Sequence, residues 1–184
     1  RARGTARAER RVAGARAQRT EAFGISKIEV TYQKMRGGGL SLWPKAKQGI
    51  PALRLDEWME IEVEFRIEPA GDGVRAAGIL FRGVDDGHFY YAHFDSRYNQ
   101  ALVIRWSEGA PPRNLARFSK AGVTAGEWHT ARVSCRGTKA TVSLDGRRLG
   151  EAEGVSGRGG AVGLRTGQGK VAYRRWSATG TGPT

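Results

Sequence analysis

The sequence predicts an all-β protein, an antiparallel two-sheet β-sandwich of the jelly-roll kind. Three observations lead there. Met59, Ile61, Val63, Phe65 and Ile67 alternate with Glu60, Glu62, Glu64 and Arg66, the period-2 pattern of a half-buried strand. Short apolar runs recur along the chain between turn-forming residues, as at Asp145-Gly146, a strong hairpin signal. No segment sustains a helical period, and none nears the roughly 18 apolar residues of a membrane span.

Taken in order, residues 1–22 form a basic Ala/Arg arm with no apolar face to bury, expected to be mobile and dispensable for folding. Its Arg10-Arg11 pair resembles a twin-arginine export signal but lacks the apolar stretch such signals need. The chain opens on Arg rather than Met, which is read as trimming. A sandwich is expected over 23–178 and a flexible tail over 179–184. Its first strands are expected at 25–32 and 40–43, followed by a loop over 45–52 and the alternating strand at 58–67. Gly78 to Arg82, Phe89 to Asp95 and Ala101 to Trp106 read as three strands joined by two tight turns. Short runs follow at 115–118, 130–136, 140–144, 147–149, 161–165 and 171–177. About eleven or twelve strands result, a set that two packed sheets bury best.

The formal net charge is +13, and the first twenty residues hold seven Arg against one Glu, so +6 of it sits there. A basic surface attracts nucleic acid without specificity. Nucleic acid is therefore not expected as a partner beyond such contact through the arm. Cys135 is the sole cysteine, which excludes an internal disulfide, and its place in an alternating run reads as a small buried hydrophobe.

The middle hairpins suggest a site. Side chains alternate across a strand, so Tyr90, Ala92 and Phe94 face one way and Phe89, Tyr91, His93 and Asp95 the other. The first set suits a core; the second gathers aromatics, an imidazole and a carboxylate. His93 and Asp95 fit either a general base with its orienter or a hydrogen-bonded surface pair. Asp85 and Asp86 fit either calcium ligands or turn formers. No other cofactor is expected, and three histidines without shared spacing argue against zinc. Trp58, Trp128 and Phe81 are assigned to the core; Trp106 fits core or site equally. Glu60, Glu62 and Glu64 lack the spacing of a glucanase motif and read as a solvated face.

These residues also carry a resemblance. Gly78-Ile79-Leu80-Phe81-Arg82 with Asp86-Gly87-His88-Phe89-Tyr90-Tyr91 and Asp95 resembles the centre of concanavalin A-like lectin/glucanase sandwich domains. Gly126-Glu127-Trp128-His129-Thr130, Val142 to Gly146 and Gly160 to Leu164 extend it, so that it covers roughly 23–178. The segments are similar to laminin-G-like modules and to the 3-keto-disaccharide hydrolase family. The resemblance implies a jelly roll that meets carbohydrate on a concave face or loop edge, and favours an exported or cell-envelope location. Two features depart from the hydrolase-like pattern: Ala76-Ala77 stand where Asn-Ser is usual, and Tyr90-Tyr91-Ala92-His93 where an acid is usual early in the strand.

Sugar rings pack on aromatic faces and their hydroxyls need planar polar partners, so Arg82, Tyr91, His93, Asp95, Tyr98, Arg105 and Trp106 are the candidate ligand-binding set. Three functions remain open. A carbohydrate-binding or adhesion-type module leads; a glycoside-processing enzyme of the 3-keto-disaccharide hydrolase type, using His93 and Asp95, follows; a scaffold or anion-binding domain is third.

Overall fold

A computed structural model describes residues 20–25, 33–34, 40–42, 54–55, 58–69, 75–84, 87–155, 160–167 and 170–181, with side chains for those within 58–179. Residues 26–32 of the strand expected at 25–32, Trp43 of the one at 40–43, the loop at 45–52, Asp85 and Asp86, and residues 1–19 and 182–184 of the arm and tail lie outside the described residues. Among the described residues there is no helix, and hence none long and apolar enough to cross a membrane.

The strands in chain order are β1 (Thr20–Ile25), β2 (Gln33–Lys34), β3 (Leu40–Leu42), β4 (Arg54–Leu55), β5 (Trp58–Ile67), β6 (Ala76–Gly83) and β7 (His88–Asp95). There follow β8 (Gln100–Ser107), β9 (Arg113–Ser119), β10 (Trp128–Arg136), β11 (Lys139–Leu144), β12 (Arg147–Glu153), β13 (Gly160–Thr166) and β14 (Val171–Thr181). They form two antiparallel sheets. A six-stranded sheet runs β1-β14-β5-β10-β11-β12; an eight-stranded one runs β2-β3-β13-β6-β7-β8-β9, with β4 added beside β13. The all-β two-sheet sandwich expected from alternation is the observed architecture.

The ends of the domain lie further out than composition suggested. Thr20, Glu21 and Ala22, assigned to the arm, pair with Thr181, Gly180 and Thr179, assigned to the tail. Backbone pairing holds these residues in the sheet although they have little apolar surface to bury.

The core lies between the sheets. β5 shows strict alternation of buried and half-buried residues, with Met59, Ile61, Val63, Phe65 and Ile67 fully buried. They face Ile79 and Phe81 of β6, Tyr90, Ala92 and Phe94 of β7, and Val162 and Leu164 of β13. Each such side chain contributes about 1.5–3 kcal/mol by leaving water. Trp58 and Trp128, expected in this core, are half-buried instead. Both stand on the other side of the alternation, and the Trp128 ring meets two guanidiniums, with Arg174 Cζ at 3.8 Å and Arg66 Cζ at 5.1 Å from its centroid.

The outer face of the six-stranded sheet is a ladder of ion pairs. Arg132 donates to Glu62, from Nε at 2.9 Å and Nη2 at 2.5 Å. A bulge near Arg175 (φ 50) turns both Arg174 and Arg175 toward Glu64, at 2.5 and 2.6 Å. Burial pushes the Glu64 carboxyl up, but the two guanidiniums outweigh it and hold its pKa below the ordinary value. The glutamate row is thus a solvated, paired surface.

One polar cluster braces the β10–β11 end. His129, 4 % exposed, places Nδ1 2.7 Å from Asp145 Oδ2, while its Nε2 lies 3.0 Å from the Thr124 N–H. Asp145 Oδ1 accepts the Thr130 N–H at 2.7 Å. Asp145 (φ 51) and Gly146 (φ 76) both occupy the left-handed region that a two-residue hairpin turn requires.

Candidate functional site

The outward face of the eight-stranded sheet carries a second apolar layer. Leu80, Phe89, Tyr91, Leu102 and Ile104 are buried there, with Trp106 packed against them half-buried. Register explains the grouping. Phe89 pairs with Trp106, Tyr91 with Ile104, His93 with Leu102 and Asp95 with Gln100, and directly opposed residues share a face. Rings run along it in sequence: Trp106 stacks on Phe89 at 6.1 Å, Phe89 meets Tyr91 at 5.9 Å, and Tyr91 meets His93 edge-on at 6.0 Å.

Arg165 crosses this row from β13, and the sequence reading missed it because it lies far along the chain. Its partner across the ladder is Gly78, which in turn pairs with His93 on β7. A Cβ at Gly78 would lie 3.3 Å from Arg165 Cβ, so the absent side chain opens a lane over β6. Through it the guanidinium reaches Tyr91, with Cζ 4.4 Å from that ring and 5.8 Å from the Trp106 ring. The exposed Arg117 and Asn114 of β9, opposite Leu102 and Ile104, extend the same rows to the sheet edge.

The predicted site residues separate into two groups. Tyr91, His93 and Trp106 come together on the outer face. Tyr91 is 5 % exposed, a floor residue whose burial raises its pKa while the Arg165 charge opposes the rise. Asp95 shares the face but serves the turn: Oδ1 accepts the N–H groups of Arg97 and Tyr98 at 2.8 and 3.3 Å, leaving Oδ2 4.0 Å from His93 Nε2. Burial brings the His93 imidazole down to about 4, against the pull of Asp95 and with the help of Arg165.

Arg82, Arg105 and Tyr98 do not join them. Arg82 has a positive φ of 52 beside a register shift between β6 and β13. That bulge breaks the alternation, and the buried guanidinium lies against the Cys135 thiol in the inter-sheet core. Burial raises Cys135 to about 12, with the Arg82 charge and hydrogen bond acting the other way. Arg105 pairs with Tyr90, a core-side residue, and so stands on the opposite face. Tyr98, 59 % exposed, sits in the β7–β8 turn near the Arg97 guanidinium. Among the described residues, no three His, Cys, Asp or Glu side chains group closely enough to hold a metal ion.

Residues 52–177 match the family model of the 3-keto-alpha-glucoside-1,2-lyase-like domain. The chain belongs to this family. No curated protein matches it. Among solved structures, the lyase-like domain is similar to the carbohydrate-binding module CBM66 of Bacillus subtilis, at TM-score 0.57 and 16% identity over 84% of this chain and 90% of that one. It is similar to sheep galectin-11 at TM-score 0.55 and 7% identity, over 70% of this chain and 94% of the galectin. A putative glycosyl hydrolase from Parabacteroides distasonis is similar at TM-score 0.52 and 12% identity, over 89% and 100% of the two chains. At these identities the likeness establishes the shared sandwich fold.

Proposed function

We propose that this lyase-like domain binds carbohydrate on the outer face of its eight-stranded sheet. The observation that carries the reading is the Trp106–Arg165–Tyr91 stack, an aromatic platform with a planar cation on it, beside the half-buried His93. A sugar ring laid on Trp106 gains apolar contact, while Arg165 and His93 meet its hydroxyls. The neighbours titled as a carbohydrate-binding module and a galectin support the reading. Binding across a glycan panel, followed by calorimetry on Trp106→Ala, tests it. Loss of a stacked aromatic should weaken binding by about 1–3 kcal/mol. A panel with no binder overturns the reading.

Family membership favours a second reading, cleavage of a 3-keto-glycoside. His93, with Asp95 Oδ2 4.0 Å away, would be its base, and an imidazole with a pKa of about 4 is a weak one at neutral pH. Turnover of a 3-keto-glucoside by the wild type, lost in His93→Ala, would establish catalysis. No binding and no turnover would leave the scaffold or anion-binding domain.

A further inference from the structure

We propose that the strip on the outer face selects acidic sugars, with Arg165 meeting the carboxylate of a uronate. The inference rests on the carbohydrate reading above and names its ligand class.

It begins from a contrast between the two sheets. On the six-stranded sheet Arg66, Arg132, Arg174 and Arg175 each contact a glutamate. Arg165 has no carboxylate partner among the described residues, and its Nη1 is buried without any hydrogen-bond partner there. A desolvated guanidinium N–H left unpaired is costly, and an incoming anion relieves that cost. The residue as a whole is only half-buried, so part of it reaches solvent.

Asp95, the carboxylate beside His93 on this face, is held away from a ligand. Asp95 is 2 % exposed and commits Oδ1 to two turn N–H groups. Arg117, exposed on β9 and opposite Leu102, adds a second positive charge on the row that runs through Gly78 and His93 to Arg165. The Arg165 Cζ lies over the Tyr91 ring at 4.4 Å, and the guanidinium carries its N–H groups in a planar fork. That fork matches a planar carboxylate in two parallel hydrogen bonds, which a neutral hydroxyl does not reproduce.

The test compares tetramers of galacturonate, mannuronate and glucuronate with their methyl esters, neutral counterparts of the same rings, by calorimetry on the whole chain at 0.15 M salt. At least one acid should bind about tenfold or more tighter than its ester, the range of a charge-assisted hydrogen bond. Arg165→Gln should erase that difference, whereas Arg148→Gln, on the other sheet and paired with Glu151, should preserve it. Should Arg165→Gln fail to fold, Arg165→Lys keeps the charge without the fork and should lose most of the preference. Equal binding of acid and ester, or a preference that survives Arg165→Gln, overturns the inference and leaves carbohydrate binding standing. A preference lost equally in Arg148→Gln is general attraction to a basic surface and also overturns it. A chain that binds no sugar, acidic or neutral, overturns both readings. Sulfated oligomers held as tightly as the acids would replace carboxylate by sulfate and overturn the assignment to uronates.

Discussion

His129 and Asp145 hold the β10–β11 hairpin together from opposite ends of a single polar contact, Nδ1 to Oδ2 at 2.7 Å, with the imidazole buried and the carboxylate in the turn. The ring also packs on Phe65, 5.6 Å between centroids, so the cluster ties the turn to the core of β5. His129→Ala removes the packing and leaves the Thr124 N–H and the Asp145 carboxylate short of a partner. A loss of about 2–4 kcal/mol in urea unfolding is expected. Asp145→Asn keeps an acceptor for the Thr130 N–H and tolerates the positive φ, so it should cost about 1 kcal/mol. Equal stability of wild type and His129→Ala would contradict this account.

Two glycines differ in what surrounds them. A Cβ at Gly160 would lie 2.6 Å from the Arg82 carbonyl carbon and 2.8 Å from Gly83 N and O, all backbone that cannot rotate away. Gly160→Ala should therefore cost about 3 kcal/mol or more, or prevent folding. Gly78→Ala meets its neighbours at 3.3 Å and should cost about 1 kcal/mol. It should also weaken ligand binding, since it narrows the lane used by Arg165. Melting temperatures in the order wild type, Gly78→Ala, Gly160→Ala check the first claim. Calorimetry on Gly78→Ala checks the second.

Acid should destabilise the domain through His93. Its folded pKa is about 4 against an ordinary 6.5, so between these values the unfolded chain takes up a proton that the folded chain refuses. Stability is then full above pH 6.5 and falls as the pH drops toward 4, by up to roughly 3 kcal/mol. Urea midpoints measured from pH 7 to pH 4 should fall less steeply for His93→Gln than for the wild type. Parallel profiles would show that His93 does not carry the effect.

Much of the fold was legible because period-2 alternation reports a sheet face directly. β5 was read with its bounds and both faces correct, and the Tyr91/His93 face was separated from the Tyr90/Phe94 core. The errors share a physical origin. Arg82 lies on a bulge, Arg105 at a position where a core-side register runs out into solvent, and Tyr98 in a turn; alternation says nothing about any of them. Arg165 was missed because its meeting with Tyr91 depends on the β13–β6 pairing and on the empty space above Gly78. The adjacency of distant strands is set by sheet topology, which local pattern does not encode. Trp58 and Trp128 were misplaced by weighing residue size above strand phase.

Cys135 makes the domain its own reporter. The chain's only thiol is 0 % exposed in the inter-sheet core, with its pKa raised to about 12. An alkylating reagent therefore reacts only in molecules whose sheets have parted, one label per chain, and the labelling rate counts openings. A sugar that binds the closed sandwich must slow that rate by the factor one plus its concentration over its Kd, provided reclosing outpaces alkylation. Ligands could thus be ranked by mass spectrometry without tagging either partner.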